Sequence, residues 1–141
     1  MNAPLYNLEI LRLAASVADR PRLAAPGATV ERRSPTCGSR VIVDVAVDAV
    51  GRVTDYGQEV RACALGQASA VLMGQHIIGR TAAEIAAATA ELRAFLTGAR
   101  DDPGAWPGLD VFAPARPHSA RHPSILLAFD AAAEAAQNAA P

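Results

Sequence analysis

The chain contains no lysine, since all 13 of its basic residues are arginine. A Schiff-base amine and a phosphate-gripping lysine are therefore excluded, and several enzyme classes go with them. There are only two cysteines, Cys37 and Cys63, too few for the disulfide framework of a small secreted domain. Charged residues make up 19% of the sequence and the formal net charge is −1. With no clustered excess of cations to neutralise a run of phosphates, nucleic acid is not an expected partner. No run approaches the roughly 20 apolar residues that span a bilayer, and no cationic stretch followed by an apolar run opens the chain. No membrane association is expected, and the expected location is the cytoplasm. In that reducing compartment two thiols serve metal binding or reactivity sooner than a structural crosslink.

What is present is apolar: 51% of 141 residues, enough to close one core, so residues 1–141 are read as a single domain. Tyr6, Ile10, Leu13 and Val17, widened by Leu8 and Leu11, set a helical stripe over residues 4–18. After a turn-rich linker with Pro21, Pro26 and Gly27, Ala28 to Arg33 reads as a short strand ended by Ser34-Pro35. From Arg40 to Val50, Val41, Val43, Val45 and Val47 alternate with Ile42, Asp44, Ala46 and Asp48, a period of two that predicts a central strand with one apolar face. Gly51-Arg52 suits a hairpin turn, and Val53 to Arg61 continues as the partner strand.

Helices follow. Leu65, Ala68, Val71, Leu72 and Ile78 keep a helical period from Ala64 to Ile78, closed by Gly79. Thr81 and Glu84 form a capping box for a helix running through Ile85, Leu92 and Phe95 to Gly98. Residues 97–118, rich in proline and glycine, cannot form a long regular element and read as a surface excursion, with Trp106 pinning the loop to the core. A closing helix starts at Ser119 or Pro123 and carries Ile125, Leu126, Phe129 and Ala133, and residues 137–141 read as a frayed tail. Strands followed by helices indicate an α+β fold: a small antiparallel sheet of about three strands packed with helices.

Cys37 lies in the turn Ser34-Pro35-Thr36-Cys37-Gly38-Ser39, where Gly38 lets the backbone bend and leaves the sulfur uncrowded. Cys63 ends a strand and precedes a helix, so its sulfur would face unpaired amides and the positive end of the dipole. Both sit at adjacent sheet ends and can converge, although buried free cysteines more often serve as small hydrophobes. Ser39 and Ser124 suit capping, because a hydroxyl satisfies an orphan amide. A hydrolase triad of Cys63, His122 and Asp44 lacks an elbow or oxyanion motif.

These residues carry a resemblance. The turn at 34–39, the strand Val41-Ile42-Val43 and the step Cys63-Ala64-Leu65-Gly66-Gln67-Ala68-Ser69-Ala70 resemble the U-type iron-sulfur cluster scaffolds (NifU N-terminal domain, IscU, SufU). That family has an Asn-Pro-Thr-Cys-Gly-Asp-like turn and a Gly-Cys-x-x-x-x-Ala-Ser-like helix start. Tyr6 to Arg22 and Leu109 to Ala131 resemble its opening and closing helices, and the insertion before Leu109 resembles the SufU branch.

In that family, three cysteines and an aspartate hold zinc or a nascent cluster. The resemblance places its first two cysteines on Cys37 and Cys63, its aspartate on Ser39, and its third cysteine on Ser124, or on Pro123 in an IscU-like register. Two thiolates and two neutral hydroxyls are a poor tetrahedral set. His122, beside the lost position, or the more distant His118 would have to complete it, and His76 on a helix is a weaker option.

The resemblance thus implies a scaffold or sulfur acceptor, not a turnover enzyme. It would take sulfur on Cys37 or Cys63 from a cysteine desulfurase and bind an iron-sulfur cluster or zinc. A homodimer pooling Cys37 and Cys63 from two copies is a further route to four thiolates. The alternative is a scaffold-derived interaction or regulatory module that no longer binds metal.

Overall fold

The computed structural model describes residues 5–16, 20–35 and 38–141. Its centre is a three-stranded antiparallel sheet in the order β1 (Ala28–Arg33), β2 (Arg40–Val47), β3 (Val53–Arg61). β1 and β3 have the expected bounds, and β2 is central as its alternation requires. It is shorter than the expected Arg40–Val50 because the Asp48 carboxylate accepts hydrogen bonds from the backbone N–H groups of Val50 and Arg52, each at 3.0 Å. Gly51 at φ +87° completes that turn, a conformation only glycine adopts without strain. Val41, Val43 and Val45 point into the core and are essentially inaccessible.

The outer sheet face differs from the polar, solvent-facing surface that alternation suggests. Asp44 lies on it and is fully buried, because residues 20–23 pair through Arg20 with the free edge of β3 and cross back over β2. Gly57 makes this crossing feasible: a Cβ there would collide with the Pro21 carbonyl oxygen.

The other face is covered by helices. The opening helix α1 spans Leu8–Ala15, capped by the Asn7 side chain, which accepts from Ile10 N–H at 2.9 Å. It is shorter than the expected 4–18, and Val17 lies outside the described residues. Of its stripe Ile10 is buried, whereas Leu8 and Leu11 stay exposed. α2 runs Ala64–His76 and α3 Ala82–Thr97. The Thr81–Glu84 capping box is complete, and Gly98 closes α3 in the left-handed region. α4, His122–Ala139, packs against β1 and β2 and between α2 and α3. Its residues Ile125, Phe129, Ala132 and Ala136 are fully buried, as a central helix requires. It carries helical structure past Gln137 to Ala139, further than the expected tail allowed.

The segment before α4 corrects the expectation of a surface excursion. Trp106, Leu109, Val111, Phe112 and Ala115 are buried, and residues Leu109–Ala115 wind into a 3₁₀ helix. As expected, Trp106 pins the segment: its indole N–H donates to the Leu72 carbonyl at 3.0 Å. The architecture is α+β, and no helix among the described residues is long and apolar enough to cross a membrane.

Candidate functional site

The chain's remaining chemistry gathers at one end of the sheet. Arg33, Arg40 and Arg61 lie opposite one another across the three strands. The turn leaving β1 and the residues leaving β3 therefore emerge side by side. In the turn, Ser34 N–H donates to the Ser39 carbonyl at 2.8 Å and Gly38 N–H to the Ser34 carbonyl at 3.2 Å. Gly38 sits at φ +71°, which explains the glycine. Cys37 itself lies outside the described residues.

Cys63 is the N-cap of α2 and only partly exposed. Its carbonyl accepts the first helical hydrogen bond from Gln67 N–H at 2.9 Å, while its side chain makes no capping bond. The start of α4 arrives at the same corner. A Cβ on Gly66 would lie 3.2 Å from the Ser124 carbonyl oxygen, and the Ser69 hydroxyl donates to the Ile125 carbonyl at 2.6 Å. Neither α2 nor α4 has an acidic residue in its first turn. The start of α2, with no side-chain cap, therefore sets its positive dipole end beside this thiol, close to where α4 begins.

The structure brings Cys63, Ser124 and the turn holding Ser39 to this corner. Ser39 and Ser124 are both buried. His122, also buried, opens α4 with its Nε2 2.9 Å from the Ala115 carbonyl oxygen. It borders a groove of about 440 Å³ that is also lined by Ser34, Pro35, Pro123 and Leu127. His118 is exposed beyond this rim.

His76 closes the opposite end of α2, edge-on to Trp106 with ring centroids 6.4 Å apart, about 20 Å of helix away from Cys63. Asp44 is committed to Arg22, Thr29 and the Leu23 amide on the outer sheet face, so no Cys63–His122–Asp44 triad is assembled.

Among the described residues no three His, Cys, Asp or Glu side chains gather closely enough to hold a metal ion. With Cys63 the one described thiol and neutral hydroxyls at positions 39 and 124, the described side chains do not fit a closed metal site. Two features of the corner escaped the sequence reading. The near-contact of Gly66 with Ser124 had one available signal, a glycine in the first turn of a helix where alanine is the better helix former. The three aligned arginines become visible only once the strand register is known.

The model of the NifU-like N terminal domain matches residues 8–104. No curated protein matches the chain. Among solved structures it is similar to the N-terminal nitrogen-fixing NifU-like protein from Brucella abortus, at 38% identity over 96% of this chain and 94% of that one, with a TM-score of 0.89. A protein from the thermophile Fervidobacterium islandicum, assigned as an iron-sulfur cluster assembly scaffold for the SUF system, has a TM-score of 0.85. It is 20% identical over 94% of this chain and 96% of that one, a likeness of fold.

Proposed function

The chain belongs to the NifU-like N-terminal domain family, and from that premise we propose that it is an iron-sulfur cluster assembly scaffold-like protein that accepts sulfur from a cysteine desulfurase. One observation carries the reading. Cys63 stands at an uncapped helix start, partly exposed, where two strand ends and two helix N-termini meet. The family's second cysteine falls on this position.

Sulfur transfer needs only this thiol and a persulfide donor. The Cys63 thiolate attacks the outer sulfur of the donor's cysteine persulfide, a new S–S bond forms, and the donor's S–S bond breaks. The donor cysteine leaves as a thiolate and takes the proton that Cys63 released, so no external oxidant or reductant is consumed. Cys37, which lies between Ser34 and Ser39 in the sequence, is the second acceptor in this reading. The inserted segment before Leu109 supports a SufU-like donor system.

An iron-sulfur cluster is the cargo of such a scaffold, and a cluster held by the protein alone takes four thiolates. Two copies pooling Cys37 and Cys63 would supply them. A second reading follows from the buried serines at positions 39 and 124: an interaction module that keeps the scaffold surface and binds neither zinc nor cluster.

The test is incubation of the anaerobic protein with a cysteine desulfurase and cysteine, followed by intact-mass measurement. A 32-dalton increment per transferred sulfur, about the mass of one sulfur atom, is expected on the wild type and is lost in the Cys37→Ser/Cys63→Ser variant. No increment on the wild type refutes sulfur acceptance. Reconstitution with iron and sulfide then separates the two readings: charge-transfer absorption supports the scaffold, and a colourless, metal-free protein supports the module.

A further inference from the structure

The register that builds the corner also creates an arrangement the fold does not need. Arg33 pairs with Arg40 and Arg40 with Arg61, so three guanidinium side chains project from one face of the sheet in a row. At a strand spacing of about 4.8 Å their Cα atoms span roughly 10 Å. Like charges directly opposite one another destabilise a sheet, and the same strands would pair better with any neutral residue at the central position. The alternation places this row on the outer face, opposite Val41 and Val43. Covering segment 20–23 does not neutralise it, because Arg22 from that segment adds a further cation and engages Asp44 and Glu59.

The charges are unequally compensated. Arg33, with its side chain 69% exposed, pairs with Glu31 at 3.0 Å. Among the described residues Arg40 and Arg61 have no carboxylate partner, although Arg61 is exposed and Arg40 half-buried. Arg40 and Arg61 thus stand at one end of the sheet without a carboxylate partner among the described residues, the acids of the next same-face register row, Glu31 and Glu59, being engaged by Arg33 and Arg22. They lie two residues before Cys63 along β3 and one residue after Ser39 along β2.

We propose that the Arg33–Arg40–Arg61 row is a docking surface for an acidic segment of a partner protein, which it seats beside Cys63. Its size argues for a protein segment over a nucleic acid. Duplex binders neutralise about 6–10 phosphates, whereas two or three carboxylates on one strand or helix match a row this short. Screening over about 8 Å at physiological salt confines the attraction to the contact itself, where it sets orientation and register. That the partner delivers sulfur rests on the function proposed above; the ligand chemistry of the row does not.

The test uses a fluorescein-labelled peptide of alternating Glu and Ala, with inorganic polyphosphate as a second probe. Anisotropy titrations compare the wild type, Arg40→Glu/Arg61→Glu, and Arg12→Glu as a single charge reversal on α1, half the charge change of the double variant. The peptide binds the wild type, weakens with added salt, and loses at least roughly tenfold in affinity in the double variant while Arg12→Glu stays close to wild type. Arg40→Gln and Arg61→Gln, checked by unchanged Trp106 emission, give intermediate losses and separate docking from misfolding. Equal peptide affinity in wild type and double variant overturns the proposal. So does polyphosphate that binds more tightly than the peptide at the same residues.

In a second arm the intact-mass assay is repeated at increasing desulfurase concentration. The double variant should need more desulfurase to reach an unchanged plateau of sulfur uptake; an unshifted concentration dependence overturns the seating beside Cys63. If the wild type takes up no sulfur at all, sulfur acceptance and the seating of a donor both fail, while the peptide titration still decides whether the row binds acidic segments.

Discussion

Replacing Asp44 by asparagine tests the least expected feature of the fold, a fully buried carboxylate on the outer sheet face. Asp44 accepts from Arg22 Nε at 2.5 Å and Arg22 Nη2 at 3.1 Å, from the Leu23 amide at 2.9 Å, and from the Thr29 hydroxyl at 2.6 Å. Hydrogen bonds to a charged group contribute roughly 1.5–3 kcal/mol each. The Arg22 side chain is 39% exposed and recovers water when its partner is lost, so the sum must be discounted. A loss of about 2–4 kcal/mol is expected, a large share of the roughly 5–15 kcal/mol that holds a domain folded.

Urea unfolding followed by the emission of Trp106, the single tryptophan, measures that loss directly. The midpoint should fall by about 1–2 M with an unchanged slope. Burial pushes the Asp44 carboxyl upward, but the hydrogen bonds from Arg22, Thr29 and Leu23 and the nearby Arg22 charge outweigh it, so it lies below its ordinary value of 3.8. A carboxyl held low stabilises the fold fully above the unfolded value and loses that contribution as pH falls through the folded one. The gap between wild type and Asp44→Asn should therefore be constant from neutral pH to about pH 5 and narrow below the ordinary carboxyl value. A loss under about 0.5 kcal/mol, or a gap undiminished in acid, would refute the idea that this charge clamps residues 20–23 to the sheet.

Three further outcomes follow from the same packing. Gly57→Ala sets a methyl group against the Pro21 carbonyl and should cost about 1–3 kcal/mol, with faster amide exchange at Arg20 and Gln58, whose mutual hydrogen bonds are 2.9 and 3.1 Å. Trp106→Phe removes the donor to the buried Leu72 carbonyl and should lower stability by about 1–3 kcal/mol, read by circular dichroism of thermal unfolding. Ser124→Cys places a thiol in the first turn of α4 beside Gly66, and should strengthen cobalt(II) binding at least roughly tenfold with new thiolate charge-transfer absorption. A spectrum identical to wild type would place position 124 out of reach of the site.

Much of the architecture is written locally. The period-two valines of β2 need only their own spacing to select a strand, and β1 and β3 are bounded by residues next to them in the chain. The Thr81–Glu84 box and Gly98 likewise set the ends of α3 through bonds spanning three or four residues. The placement of Cys63 at a strand-to-helix junction was legible for the same reason. Asp44, the segment around Trp106, and Ser124 were less so. Asp44 looks solvent-facing until residues 20–23 are seen to cross it. The buried residues Trp106, Leu109 and Phe112 are scattered among prolines and glycines with no period to announce them.

The sequence by itself determined the kind and order of the strands and main helices, and the bounds of β1, β3 and α3, because backbone preference, capping and hydrophobic period act over a few neighbouring residues. Tertiary structure alone decided which polar face is covered, that Gly66 and Ser124 touch, and that Arg33, Arg40 and Arg61 align. Those are contacts between residues far apart in the chain, and they depend on strand register and on which distant segment packs over each surface.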